Sequence, residues 1–165
     1  MQTPTPELVE ETKRRAEAGE VIAQCNLGIF YFFGQGVRRD VVESTKWYRL
    51  AAEQGDAQAQ YNLGIAFDRG HGVAPDSSVA FRWFLAAAEG GHAGAQYNVA
   101  ICYGQGNGVG MDWIEAFRWI ILSDQGGYPR AREIRNMVTQ QMTAQQIQEA
   151  ERRAKTFSPR SSAQS

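Results

Sequence analysis

The sequence predicts an all-α solenoid of 36-residue helix-turn-helix repeats with capping helices at both ends, and three observations predict it. Ala23, Ala59 and Ala95 open three copies of one unit, 36 residues apart, with no insertion or deletion between them. Every copy keeps one frame: Ala-Gln, an Asn three positions after the Ala, an apolar residue, a small residue and an aromatic, then Gly-x-Gly-Val, an Asp, a Trp and a closing Gly. Within each copy the apolar residues recur at helical spacing. A fixed period of this length marks a repeat architecture, in which one helix pair cannot bury its apolar face alone and stacking makes the core continuous.

In chain order, Met1 to Pro6 is a polar lead without a basic stretch followed by an apolar run, so no signal peptide is expected and the cytoplasm is the expected location. A leader removed earlier would leave no trace in this sequence. Glu7 to Ala18 is a charged amphipathic stretch ending at Gly19, which aligns 36 residues before Gly55. It corresponds to the second helix of an incomplete repeat, so residues 1–20 are expected to form a lead and a capping helix with a polar outer face.

The repeats occupy residues 21–130, as copies of about 23–58, 59–94 and 95–130. In the first helix of the middle copy Ala59, Leu63, Gly64 and Phe67 form one stripe of a 3.6-residue helix. Ala23, Leu27, Gly28, Tyr31 and Ala95, Val99, Ala100, Tyr103 repeat it. In the second helix Ala80, Trp83, Phe84 and Ala87 form the stripe, matched by Ser44, Trp47, Tyr48, Ala51 and by Ala116, Trp119, Ile120, Ser123. Gly70-His71-Gly72 breaks the chain between the helices, and Asp40, Asp76 and Asp112 stand where an N-cap belongs. Glu43 and Glu115, three residues on, suggest capping boxes. Gly55, Gly91 and Gly127 stand where a helix ends in a left-handed residue. Small residues such as Gly64 and Ala87 would let backbones approach, while Phe67 and Trp83 fill the space, which makes Trp83 an expected core residue.

After the third copy Pro129 opens a further first helix, Arg130 to Gln141, with Ala131 36 residues after Ala95. Thr143 can cap a last helix running to about Thr156, so residues 131–157 are expected to be a partial fourth repeat that closes the stack. Residues 158–165 are Ser-rich and expected to be disordered.

Composition narrows the functional classes. Seventeen Lys and Arg against eighteen Asp and Glu give a net charge of −1, which lacks the basic footprint of a nucleic-acid binder. No apolar stretch approaches the ~18 residues of a membrane span. Cys25 and Cys102 lie a whole repeat apart, too far for a disulfide, and two unpaired thiols suit a reducing compartment. His71 and His92 lie in different loops and share no metal, and Gly104 to Gly110 follows a helix where a phosphate-binding turn would follow a strand. Nothing places a Ser or Cys nucleophile beside a base, so no catalytic residue, metal or cofactor is expected. Residues 130–165 hold seven positive and three negative charges, a basic cap surface. Asn26, Asn62 and Asn98 recur unchanged, which favours a structural job such as bonding the loop of the adjoining repeat over reading a ligand.

The frame from Ala23 to Gly55 and from Ala59 to Gly91 resembles the Sel-one-like repeat family, a relative of the tetratricopeptide repeats. The third copy departs late, where Ile120-Ile121-Leu122-Ser123-Asp124 replaces the usual aromatic and alanine pair. The resemblance implies a right-handed α–α superhelix and adaptor or scaffold work with no common ligand. A cysteine-rich branch of the family, linked to β-lactam binding or hydrolysis, pairs cysteines within each repeat, and this chain lacks those pairs. In tetratricopeptide relatives the first helices line the concave face. Carried over, that places Ile29 and Phe32 (with Cys25 and Phe33) in a groove from copy one, Tyr61, Ile65, Asp68 and Arg69 from copy two, and Tyr97 and Ile101 (with Gly104 and Gln105) from copy three. The expected function is a scaffold or adaptor, not an enzyme, holding a protein or peptide segment in a largely apolar groove. The alternatives are a structural element self-associating through the apolar second helix of copy three and, behind it, a hydrolase. A monomer is expected, with a homo-oligomer as the alternative.

Overall fold

The computed structural model describes residues 4–160, and the described residues form nine helices with the remainder in turns and loops. The chain divides into two compact units, Met1–Asp76 and Ser77–Ser165, so that the boundary falls between the two helices of the middle copy.

The first unit holds α1 (Pro6–Glu17), α2 (Val21–Phe33), α3 (Val41–Glu53) and α4 (Ala57–Arg69), each packed on the next. Three of its four starts are capped by short polar side chains, while Glu20 before α2 makes no side-chain cap bond. The Thr5 hydroxyl accepts the Leu8 N–H at 3.3 Å, the Asp40 carboxylate accepts those of Val42 and Glu43 at 3.0 Å, and Asp56 accepts that of Ala59 at 2.7 Å. Alanines let the helices approach, and Val9, Ala16, Ala23, Leu27, Tyr48, Ala51, Ala59 and Leu63 are buried between them. Gly28 marks a close approach of α2 and α3, because a Cβ there would lie 2.6 Å from the Tyr48 ring. Ser44 fastens the same crossing by donating its hydroxyl to Gly28 O at 2.7 Å.

The second unit holds α5 (Ser77–Glu89), α6 (Ala93–Gln105), α7 (Trp113–Gln125), α8 (Pro129–Thr139) and α9 (Ala144–Lys155). Helix α7 touches α6, α8 and α9, which buries Phe117, Trp119, Ile120, Ile121 and Leu122. Phe157, just past α9, stacks edge-on to Trp119 with ring centroids 5.6 Å apart. The Thr143 hydroxyl accepts the Gln146 N–H while Gln146 Oε1 accepts the Thr143 N–H, a capping box.

One device recurs in both units. The Gln after each repeat-opening Ala donates its amide to the last turn of the preceding helix: Gln24 to Ala16 O at 3.2 Å, Gln60 to Ala52 O at 3.1 Å, Gln96 to Ala88 O at 3.2 Å. Each of these carbonyls also accepts the N–H of the Gly that ends its helix, Gly19, Gly55 and Gly91, at 3.0 Å, so the Gln is a second donor that ties the capped end to the next helix. In the partial fourth repeat Arg132 takes the place of the Gln and meets Asp124, which aligns with Ala88, at 3.4 Å.

Several expectations are corrected. The fully covered aromatic or aliphatic residue of the second helix is the one after the Trp. Tyr48, Phe84 and Ile120 are all buried, whereas among the tryptophans Trp119 is buried and Trp47 and Trp83 are half-buried. Glu43 and Glu115 do not close capping boxes. Glu43 pairs with Lys46 at 2.9 Å, and Glu115 pairs with Arg118 at 2.9 Å and with Arg153 of α9 at 2.7 Å. The C-terminal basic residues are largely internally paired, with Arg152 and Arg153 both on Glu149 and Arg160 on Glu89. Of the tail expected to be disordered, residues 161–165 lie outside the described residues. Arg160 donates its N–H to Glu89 O at 2.8 Å.

Candidate functional site

The first unit carries a hollow of about 630 Å³ between α2 and α4. Helix periodicity explains its walls. On α4, Asn62 and Arg69 stand three residues before and four after Ile65, with Gln58 a turn further back, so all four share one edge of the helix. On α2, Ile29, Phe32 and Phe33 form the opposing edge, and Tyr48 of α3 closes the floor. Gln35 and His71 reach it from the two Gly-x-Gly loops.

The rings are held in place. Phe32 meets Phe33 edge-on at 5.0 Å and the His71 imidazole at 5.4 Å. Arg39 donates to Phe32 O at 3.0 Å and lays its guanidinium 5.9 Å over the Phe32 ring. The His71 loop is fastened at both peptide groups, its N–H to Ala66 O at 2.9 Å and its carbonyl accepting the Thr45 hydroxyl at 2.8 Å. Its Nδ1 is buried with no hydrogen-bond partner among the described residues. Tyr48 is so covered that its phenol is pushed up to about 12 by burial. Phe33 is 64 % exposed, so the hollow presents an open aromatic wall to solvent.

The charge is one-signed. Arg69 is exposed and makes no ion pair among the described residues, and no Asp or Glu belongs to the lining. A few polar groups around apolar walls, in a volume of several hundred Å³, match the usual make-up of a recognition pocket.

Five of the sequence-predicted positions meet here: Ile29, Phe32, Phe33, Ile65 and Arg69. Tyr61 and Asp68 belong to the same helix but stand four before and three after Ile65, on the opposite side of its crest. Tyr97 and Ile101 are on α6 of the second unit, where the Tyr97 ring packs 5.1 Å from Tyr128 and burial raises its phenol. Cys25 is corrected from a groove position to a core one. It is 5 % exposed, and burial, then the Asp56 carboxylate, pushes its thiol up to about 12.

Sequence reasoning missed Gln35, Tyr48, Gln58, Asn62 and His71 as lining. For Asn62 the expected structural bond to a neighbouring loop is replaced by one from Gln58 at 3.2 Å, and the inter-repeat bond belongs to the Gln instead. His71 had one signal: it fills the variable place of Gly-x-Gly, where copies one and three carry Gln35 and Asn107. His92, its apparent counterpart, is an N-cap whose Nδ1 accepts the Ala95 N–H at 3.1 Å. Among the described residues no three His, Cys, Asp or Glu side chains gather as a metal site would need, and no helix is long and apolar enough to cross a membrane.

The family described as Sel1 repeat matches residues 21–56, 57–92 and 93–123. Among solved structures, a protective antigen present in uropathogenic Escherichia coli strains and displaying an SLR fold is similar at 32 % identity and a TM-score of 0.85, over 93 % of this chain. The chain spans only 33 % of that antigen. A Sel1 repeat protein from Oxalobacter formigenes is similar at 33 % identity and a TM-score of 0.72, over 77 % of this chain and 96 % of that one. No curated protein matches.

Proposed function

The chain belongs to the Sel1 repeat family, whose repeats generally mediate protein interactions, and from that premise we propose that it is a binding module that holds a protein segment in the hollow between α2 and α4. One observation supports this above the rest: Ile29, Phe33 and Ile65 bring apolar walls from two helices to an open hollow floored by a buried ring. Burying an apolar anchor there gains roughly 25 cal/mol per Å² of surface removed from water. A partner helix or extended segment would place its anchors at fixed spacing, as in other groove recognition.

Self-association through the apolar second helix of copy three loses its surface, because α7 is covered by α6, α8 and α9 within its own unit. The module is a binder on this view, and chemistry on a substrate is left out of it.

Capture tests the proposal. The wild-type chain and a Phe33→Ala, Ile65→Ser variant serve as baits, with bound proteins identified by mass spectrometry and helicity checked by circular dichroism. The variant is expected to keep its helicity and lose specific partners. A folded variant that retains the same partners would remove the hollow from consideration.

A further inference from the structure

The hollow is apolar at its walls and cationic at its edge. Its charged lining residue is Arg69, an exposed cation that makes no ion pair among the described residues. Arg14, Arg15, Arg118, Arg152, Arg153 and Arg160 all meet carboxylates at 2.6–3.0 Å, and of the arginines without an ion pair among the described residues Arg69 is the one that lines the hollow. A second guanidinium, Arg39, is held against the Phe32 ring by its bond to the Phe32 carbonyl, so the cationic character continues onto the loop side. The remaining polar lining, Gln35, Gln58, Asn62 and His71, is amide and imidazole.

We propose that the segment bound in this hollow is an acidic one, in which a bulky apolar side chain enters between Ile29, Phe33 and Ile65 while a carboxylate within one helical turn of it pairs with Arg69. The proposal rests on the binding role of the hollow and adds the chemistry of the partner. Two lines of physical chemistry converge on it. A guanidinium offers a planar fork of donors that matches a carboxylate in two parallel bonds, and such charge-assisted bonds are the stronger kind. A basic segment would instead bring like charge against Arg69 and Arg39 with no carboxylate on the lining to offset it, which suppresses wrong partners. The amides of Gln58 and Asn62 then face the backbone or polar atoms of the same segment.

A random-peptide phage library panned on the full chain tests the inference, with Arg69→Gln and Ile65→Ser as parallel baits. Selected peptides are expected to share an aromatic or leucine anchor with Asp or Glu within four residues of it. Arg69→Gln is expected to weaken those peptides about tenfold and to select without acidic bias. Selected peptides that compete at the hollow but show no acidic preference, or an acidic preference that survives in Arg69→Gln, would overturn the inference and leave the hollow as a binding site. Selection that is identical on Ile65→Ser, with that variant folded, would overturn the hollow itself.

Discussion

Gly72 and Gly55 adopt similar left-handed backbones, with φ of +73° and +92°, yet differ in what surrounds them. At Gly55 an added Cβ would meet nothing within 4 Å. At Gly72 it would lie 2.8 Å from Val42 Cα and closer still to the Val41 carbonyl, at the start of the preceding second helix. Gly55→Ala therefore reports the backbone cost alone, about 1–2 kcal/mol for an L-residue in that conformation. Gly72→Ala bears the same cost and must also displace backbone rather than a flexible side chain, which adds about 1–3 kcal/mol by analogy with overpacked cores. The expected totals are about 1–2 kcal/mol for Gly55→Ala and about 2–5 kcal/mol for Gly72→Ala. Urea unfolding of both variants followed by circular dichroism gives the difference, provided the slopes agree. Equal losses would refute the claim that the second Gly of Gly-x-Gly is there to let the loop lie on the preceding helix.

Three further outcomes are expected. Trp119→Ala, at 2 % exposure and stacked on Phe157, is expected to lose about 3–5 kcal/mol in the same unfolding experiment, and the half-buried Trp83→Ala less; an equal or larger loss for Trp83 would contradict the core as placed. The Glu149 carboxyl is held down to about 2 by hydrogen bonds from Arg152 and Arg153, below its ordinary 4.5, so its contribution is fully present above about 4.5 and is lost as the pH falls toward 2. Melting temperatures measured across that window are expected to fall more steeply for the wild type than for Glu149→Gln, and parallel curves would show the pair to be without effect. The Cys25 thiol, pushed up to about 12, is expected to stay unmodified by a thiol-disulfide reagent at pH 8 in the native chain and to react on unfolding; rapid native modification in a Cys102→Ser background would contradict its burial.

The repeat period gave the fold class, the helix pairs and the caps because these depend on local rules. A Gln aligned in three copies, an Asp at each loop exit and a Gly at each left-handed turn act on neighbours within a few residues or on the same place in the adjoining helix. Side-chain direction about a helix is also readable to within one edge, which is why Ile29, Phe32, Ile65 and Arg69 were legible as one face. Residue spacing alone could not say on which side of the Ile65 crest a hollow would open. That depends on how far apart α2 and α4 stand, which is set by the closeness of α2 to α3 at Gly28 and by α4 against α3. So Tyr61 and Asp68 were grouped with Arg69 although the helix turns them away from it. The same limit hid the burial of Cys25, and it exchanged the roles of Asn62 and the Gln before it. A three-residue offset along a helix is a change of edge, and only packing decides which edge becomes interior. By itself the sequence determined the repeat, its helices and the apolar character of their faces. The tertiary structure decided which of those faces is left open, because a hollow is the space between backbones, and no residue encodes that space alone.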